Sequence, residues 1–384
     1  MKHTRLFRNF VYRVSHTLTT EWRLIFRDNG AVLILLLAVL IYSTLYSLGY
    51  GGEILRDVPI VVVDESRTPQ SRHLIRMLDS SPNIEVAFEA ESMAEAQCLF
   101  FARRAYGIVL IPAEYARSLV TGRQTTIAAY CDAGYLLIYR QTLEAVSTVV
   151  QSEGVSVVQR RLELSGRTAS EAAIVATPVS LHTHNLYNPS LGYGVFVMPA
   201  VLILILQQTA LVGIGLVCGT RNEFGRQRTH APFATLIGRT VAYAALYSVT
   251  ATYIFVLHYR LFEYPMNGST EACVVLLALF ITASVLLGLS LSPLYSRREE
   301  SLMLLFWSSI PALLVSGVSL PHEAFPQWLH MLGRLLPSSN AVEGYIRIQS
   351  AGASLADVAP QIATLGALVV LYGTTAYIAI RRGR

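Results

Sequence analysis

The stretch AVLILLLAVLIYSTLYSL, residues 31–48, carries no charged side chain. As a helix rising 1.5 Å per residue it reaches about 27 Å, close to the roughly 30 Å hydrocarbon core of a bilayer. Residues 1–30 ahead of it are rich in arginine, and Gly51-Gly52 behind it offers no small-x-small cleavage site. A removed leader has a shorter basic region, so the stretch reads as an uncleaved signal anchor.

Outward from it, comparable runs occur at Val195–Cys218, Val241–Leu257, Ala272–Leu291, Leu302–Val318 and Ile362–Ile380. Each falls within about 17–25 residues, so the expectation is six transmembrane helices. The composition agrees, since 53% of the 384 residues are hydrophobic and 14% charged, against roughly a quarter charged in soluble domains. A soluble enzyme is excluded on that ground. Arginines cluster in residues 1–30, at Arg221, Arg226, Arg228 and Arg239, at Arg297-Arg298, and at Arg381-Arg382-Gly383-Arg384. The positive-inside rule assigns these segments and both termini to the cytoplasm, leaving residues 51–190, the loop Glu263–Thr270 and residues 319–360 outside. The net charge of +5 therefore reflects span anchoring and not nucleic-acid binding.

Every basic residue except Lys2 is arginine, so no interior lysine exists for a Walker A loop or a Schiff base. The spans hold few ionisable groups, which disfavours an ion-coupled carrier. Their most polar feature, Gln207-Gln208-Thr209, either joins helices by hydrogen bonds or lines a translocation path. Between Thr4 and Arg27, Phe7, Val11, Val14, Leu18, Trp22 and Ile25 recur at spacings of three and four, which predicts an amphipathic helix on the inner leaflet, as an anchor or as a docking surface.

Residues 51–190 alternate strand and helix signals. Strands are expected at Pro59–Val63, Ile84–Phe88, Gly107–Ile111 and Thr126–Tyr130, with helices at Ser71–Leu78, Met93–Arg103, Ala113–Leu119, Tyr135–Leu164 and Ala169–Ala176. This is an inserted extracytoplasmic α/β domain, with the long helix as a stalk. Asp64-Glu65 closes the first strand as a turn cap or a ligand contact. His182-x-His184 lacks a third metal ligand, and no Ser/His/Asp spacing is visible. Cys98 and Cys131 share the domain, and their pairing is open; the four cysteines show no CxxC spacing. From Ser319 to Pro337 an apolar helical side with Phe325, Trp328, Leu329, Leu332 and Leu336 reads as interfacial or re-entrant, ended by Pro337.

This last region carries a resemblance. Ser316-Gly317, Pro321, Phe325-Pro326-x-Trp328-Leu329 and Leu336-Pro337 are similar to the outer segment of ABC-2 type permeases with a large extracytoplasmic domain after the first span. Val58–Glu65 with Ser71-Arg72, Asn188-Pro189 with Pro199, and Gly238-Arg239 support it, whereas Arg221-Asn222-Glu223-Phe224-Gly225-Arg226 lacks the threonine of the family's cytoplasmic string. The resemblance implies domains at 1–30 (amphipathic helix), 31–50 (first span), 51–190 (α/β domain) and 191–384 (five further spans) of a bacterial inner-membrane subunit. It further implies a homodimer or heterodimer with a second permease, pairing with separate ABC ATPase subunits that hold the ATP and magnesium, so that this chain binds no cofactor and holds no catalytic residue. A membrane-fusion adaptor and outer-membrane channel are further partners on this view. Trp22, Arg221, Glu223 and Gly225 would couple to the ATPase, and an amphipathic or lipidic substrate or drug would be exported. The alternative is an ATPase-driven signal transmitter that regulates an envelope process without transport.

Overall fold

The computed structural model describes residues 2–50, 55–181, 183–184, 186–188, 192–225, 229–317 and 325–382. The chain divides into two compact units, a helical one (Met1–Glu53 with Asn185–Arg384) and an α/β one (Ile54–His184). Helix α1 (Lys2–Arg27) ends at Asp28, whose extended backbone turns the chain. The Asp28 carboxylate accepts the Gly30 and Ala31 amides at 2.9 and 3.1 Å, so it caps the first span, α2 (Asn29–Gly49).

In the α/β unit the elements are β1 (Val58–Asp64), α3 (Pro69–Asp79), β2 (Ile84–Ala90), α4 (Met93–Phe101), β3 (Gly107–Ile111), α5 (Tyr115–Thr121), β4 (Ala128–Cys131), α6 (Leu136–Leu164) and α7 (Ala169–Ala176). The sheet order is β2-β1-β3-β4, with β1 parallel to both neighbours and β4 antiparallel to β3. A central parallel strand is covered on both faces, hence the almost unbroken apolar run of β1. Val58, Ile60 and Val62 pack with Leu74 and Leu78 of α3 and with Val146 and Val149 of α6, while Val61 and Val63 pack with Ala96 of α4. The first half of the helix read as a stalk is thus part of the domain core.

Asp64 accepts the Ser66 and Arg67 amides, each at 3.0 Å, and the Ser71 hydroxyl at 2.6 Å. The turn-cap reading accounts for this carboxylate. Burial, with the Glu153 carboxylate adding to it, pushes the Tyr115 phenol well above its ordinary value. Cys98 and Cys131 are free thiols, on α4 and at the end of β4. Because both sheet faces have their own cores, residues 55–176 expressed alone should be soluble and unfold cooperatively in a thermal melt. Leu78→Ala should cost that fragment about 2–5 kcal/mol, and spectra without helix or strand would overturn the expectation.

The helical unit continues with α8 (Tyr193–Glu223), α9 (Pro232–Leu261), α10 (Thr270–Leu294), α11 (Arg298–Val315), α12 (Gln327–Arg334), α13 (Pro337–Ala351) and α14 (Ala359–Arg382). Helix α8 is apolar and buried nearly all round, as a central helix must be. Among the described residues α2, α8, α9, α10 and α14 are long and apolar enough to cross a membrane. The run expected at Leu302–Val318 lies in α11, which opens with Arg298, Glu299 and Glu300, and Val318 is outside the described residues.

One element differs from expectation. Pro337 does not merely end an interfacial segment; it opens the 15-residue helix α13, at the first position, where proline has no amide to lose. Ala341, Val342, Tyr345 and Ile348 bury against the bundle. The Ser338 amide meets Gln207 halfway along α8 at 2.7 Å, while Gln349 reaches the Pro265 carbonyl in the loop before α10. Helix α13 thus runs from mid-bundle to that loop. Its many polar residues, Ser338, Ser339, Asn340, Glu343, Arg347 and Gln349, hid it in the sequence.

Candidate functional site

Helix α1 lies along the start of α9, and the contact depends on Gly238. A Cβ there would stand 2.7 Å from the Thr17 Cβ and 2.9 Å from the Val14 carbonyl oxygen. The Trp22 indole donates to the Ala242 carbonyl at 3.1 Å, and Phe10 stacks on Phe233 at 6.0 Å. The expected apolar stripe is therefore divided. Ile25 is buried, Val14 and Leu18 are half-buried, Phe7 and Val11 are exposed, and Trp22 keeps 38% of its surface.

Rotating the packed face toward α9 brings in Glu21, which sequence reasoning missed. It is only 2% exposed. Its Oε1 accepts from Arg221 of α8 at 2.6 Å and pairs with Nε of Arg239 of α9 at 2.9 Å. Its other oxygen is buried and has no partner among the described residues. The available signal was an acid between Leu18 and Ile25, three and four positions away on an apolar face. Buried carboxylates of this kind are retained where they are paired.

A second set of contacts ties the same end of the bundle together. Asp28 holds Arg298 of α11 through two bonds of 2.8 and 2.9 Å. Glu223 is exposed, and its Oε1 accepts the Arg298 amide at 2.7 Å, so it caps the N-terminus of α11, where negative charge is favoured. Asn222 donates to the carbonyls of Ser292 and Tyr295 at 3.2 and 2.6 Å. Gly225 has φ +96°, a conformation that suits glycine, and Phe224 beside it is 86% exposed. Trp22, Arg221 and Glu223 thus each hold neighbouring helices together. Arg226 and Arg228 lie outside the described residues.

Gln207 and Thr209 both join helices, the first to Ser338 and the second by accepting the Tyr247 hydroxyl at 3.2 Å. Gln208 makes no such bond through its carbonyl oxygen among the described residues. In the outer motif Ser316 and Gly317 stop α11, the serine capping it and the glycine taking φ +82°. Pro326 precedes α12, Trp328 is exposed on it, and Pro337 opens α13, while Pro321 is outside the described residues, as are His182 and Pro189. Among the described residues no group of His, Cys, Asp and Glu could hold a metal ion.

The arrangement is that of a membrane subunit whose amphipathic helix is locked by charge to the ends of its spans. The chain belongs to the ABC-2 family of transporter proteins, whose family description matches residues 30–378. It is similar to the probable multidrug ABC transporter permease YbhR of Escherichia coli K12, 23% identical over 376 residues, covering 97% of this chain and 99% of that protein. It is also similar to the inner membrane transport permease YhhJ of the same strain, 23% identical over 342 residues, covering 84% and 85%. No solved structure matches significantly. The protein is thus a permease subunit of an ABC transporter, a multi-pass inner-membrane protein that works with an ATPase partner and carries no ATPase activity of its own.

Proposed function

We propose that this permease exports an amphipathic or lipidic substrate or drug by alternating access, as a dimer of six-span subunits with both termini in the cytoplasm. ATP binding clamps the partner ATPases together, and they push on the end of the bundle where Glu21 of α1 meets Arg221 and where Phe224 is exposed. The observation that carries this reading is the buried Glu21 with its ion pairs to Arg221 and Arg239, which tie α1 to α8 and α9. The similarity to YbhR, a probable multidrug permease, supports the substrate class, and the exposed apolar side of α11, with Met303, Phe306, Trp307 and Ile310, supports contact with lipid or a second subunit.

Reconstituted with its ATPase, the chain should drive ATP-dependent movement of amphipathic dyes or fluorescent lipids across vesicle membranes. A complex that hydrolyses ATP and moves none of them would favour the alternative, a mechanical transmitter acting on an envelope process. Topology has its own test. In a cysteine-free background, Met266→Cys should react with a membrane-impermeant thiol reagent in intact cells and Phe224→Cys only after lysis. Both positions are exposed, so labelling of Phe224→Cys from outside would overturn the six-span arrangement.

A further inference from the structure

Within the helical unit a groove of about 520 Å³ runs between α9 and α14 over the buried Leu286 of α10. Ile237 and Val241 form one wall, and Val369, Val370 and Gly373 form the other. The lining runs over residues 233–241 of α9 and 369–377 of α14, about 12 Å on each helix at 1.5 Å per residue. One leaflet's share of the hydrocarbon core is roughly 15 Å. The groove therefore has the depth of a single acyl chain and the apolar walls such a chain needs.

Its rim differs from its floor. Phe233 closes one end, with its ring 6.0 Å from Phe10 of α1 and 6.5 Å from Tyr377 of α14. Aromatic side chains gather where a span meets the headgroups. One turn beyond Tyr377 stand the exposed Arg381 and Arg382. Neither α9 nor α14 contains an aspartate or glutamate. Two guanidinium groups one turn past the end of an apolar slot are complementary to an acyl chain that carries a negatively charged headgroup, as in the basic interhelical pockets that bind anionic lipids.

We propose that this groove is a binding site for an anionic phospholipid, with one acyl chain between α9 and α14 and the phosphate at Arg381 and Arg382. Placing it in the cytoplasmic leaflet rests on the topology proposed above; the binding itself does not. A lipid wedged there would stiffen the contact between α1, α9 and α14.

The test uses the full chain in phosphatidylcholine vesicles containing a trace of phosphatidylglycerol with a photoactivatable acyl chain, compared with phosphatidylcholine bearing the same chain. Cross-links should map to the α9 and α14 peptides, with phosphatidylglycerol favoured. Gly373→Leu fills the slot, and the position tolerates a side chain, because a Cβ there would meet only Leu286 at 3.7 Å. That variant should cut labelling at least fivefold. Should it fail to insert, Arg381→Gln and Arg382→Gln supply the second reading, each lowering phosphatidylglycerol labelling by about fivefold, the weight of one surface charge, and leaving phosphatidylcholine unchanged. Equal labelling of the parent and Gly373→Leu, indifference to headgroup charge, or cross-links that map outside the α9 and α14 peptides would each overturn the proposal. The vesicles carry the lipid in both leaflets, so the outcome is independent of the thiol-labelling test of topology.

Discussion

Glu21→Gln is expected to destabilise the full chain in detergent by about 3 kcal/mol and to abolish ATP-driven transport. Removing one partner of a buried ion pair costs about 3–5 kcal/mol, because the charge left behind has lost its compensation. Here two guanidinium groups are left, but the Arg221 and Arg239 side chains keep 25% and 17% of their surface. Water screens part of the cost, which places the effect at the low end of that range. Adding Arg239→Gln to the same chain removes one uncompensated charge and should recover about half of the loss. Denaturant unfolding of the single and double variants measures both. Glu21→Gln with parental stability would mean that the carboxylate does not hold α1 to the spans.

Gly238→Leu is expected to separate α1 from α9 and uncouple the transporter while leaving the α/β domain folded. One of the two atoms crowding a new Cβ, the Val14 carbonyl oxygen at 2.9 Å, belongs to the backbone and cannot swing away. Helix α1 must move as a whole. Overpacking alone costs about 1–3 kcal/mol, and the displacement also breaks the Trp22 to Ala242 bond and the pairing of Glu21 with Arg239. A Phe10→Cys/Phe233→Cys pair joined by a short bifunctional thiol reagent reports the separation, since the two side chains meet in the parent. Cross-linking yield should fall severalfold in the Gly238→Leu background, together with transport. Parental yields of both would show that the bundle absorbs the side chain elsewhere.

Residues that form one element with their near neighbours were legible. The β1 run over residues 58–63 is apolar because the strand is covered on both faces, whereas α3, expected from Ser71, starts two residues earlier, behind the capping box of Thr68 and Ser71. Helix α7 begins and ends where its residues suggested, at Ala169 and Ala176. Glu223 was legible as a lone acid but not in its role, since the amide it caps belongs to Arg298, 75 positions further along. Helix α13 was missed for a related reason. Its polar residues find partners on α8, on α14 and in the loop before α10, and no local pattern records such partners.

What the sequence determined by itself is the set of choices made by contiguous residues. A charge-free run of bilayer length partitions into the membrane whatever surrounds it, alternation between period 2 and period 3.6 selects strand or helix, and a chain whose only lysine is Lys2 cannot build a Walker A loop. Only the tertiary structure decided which charges leave water. Glu21 and Arg221 are 200 positions apart and Asp28 and Arg298 are 270 apart. Withdrawing such charges from water, fully for Glu21 and partly for the others, is unfavourable until the partner stands within hydrogen-bond distance, and that distance is set by the packing of α1, α8, α9 and α11 against one another.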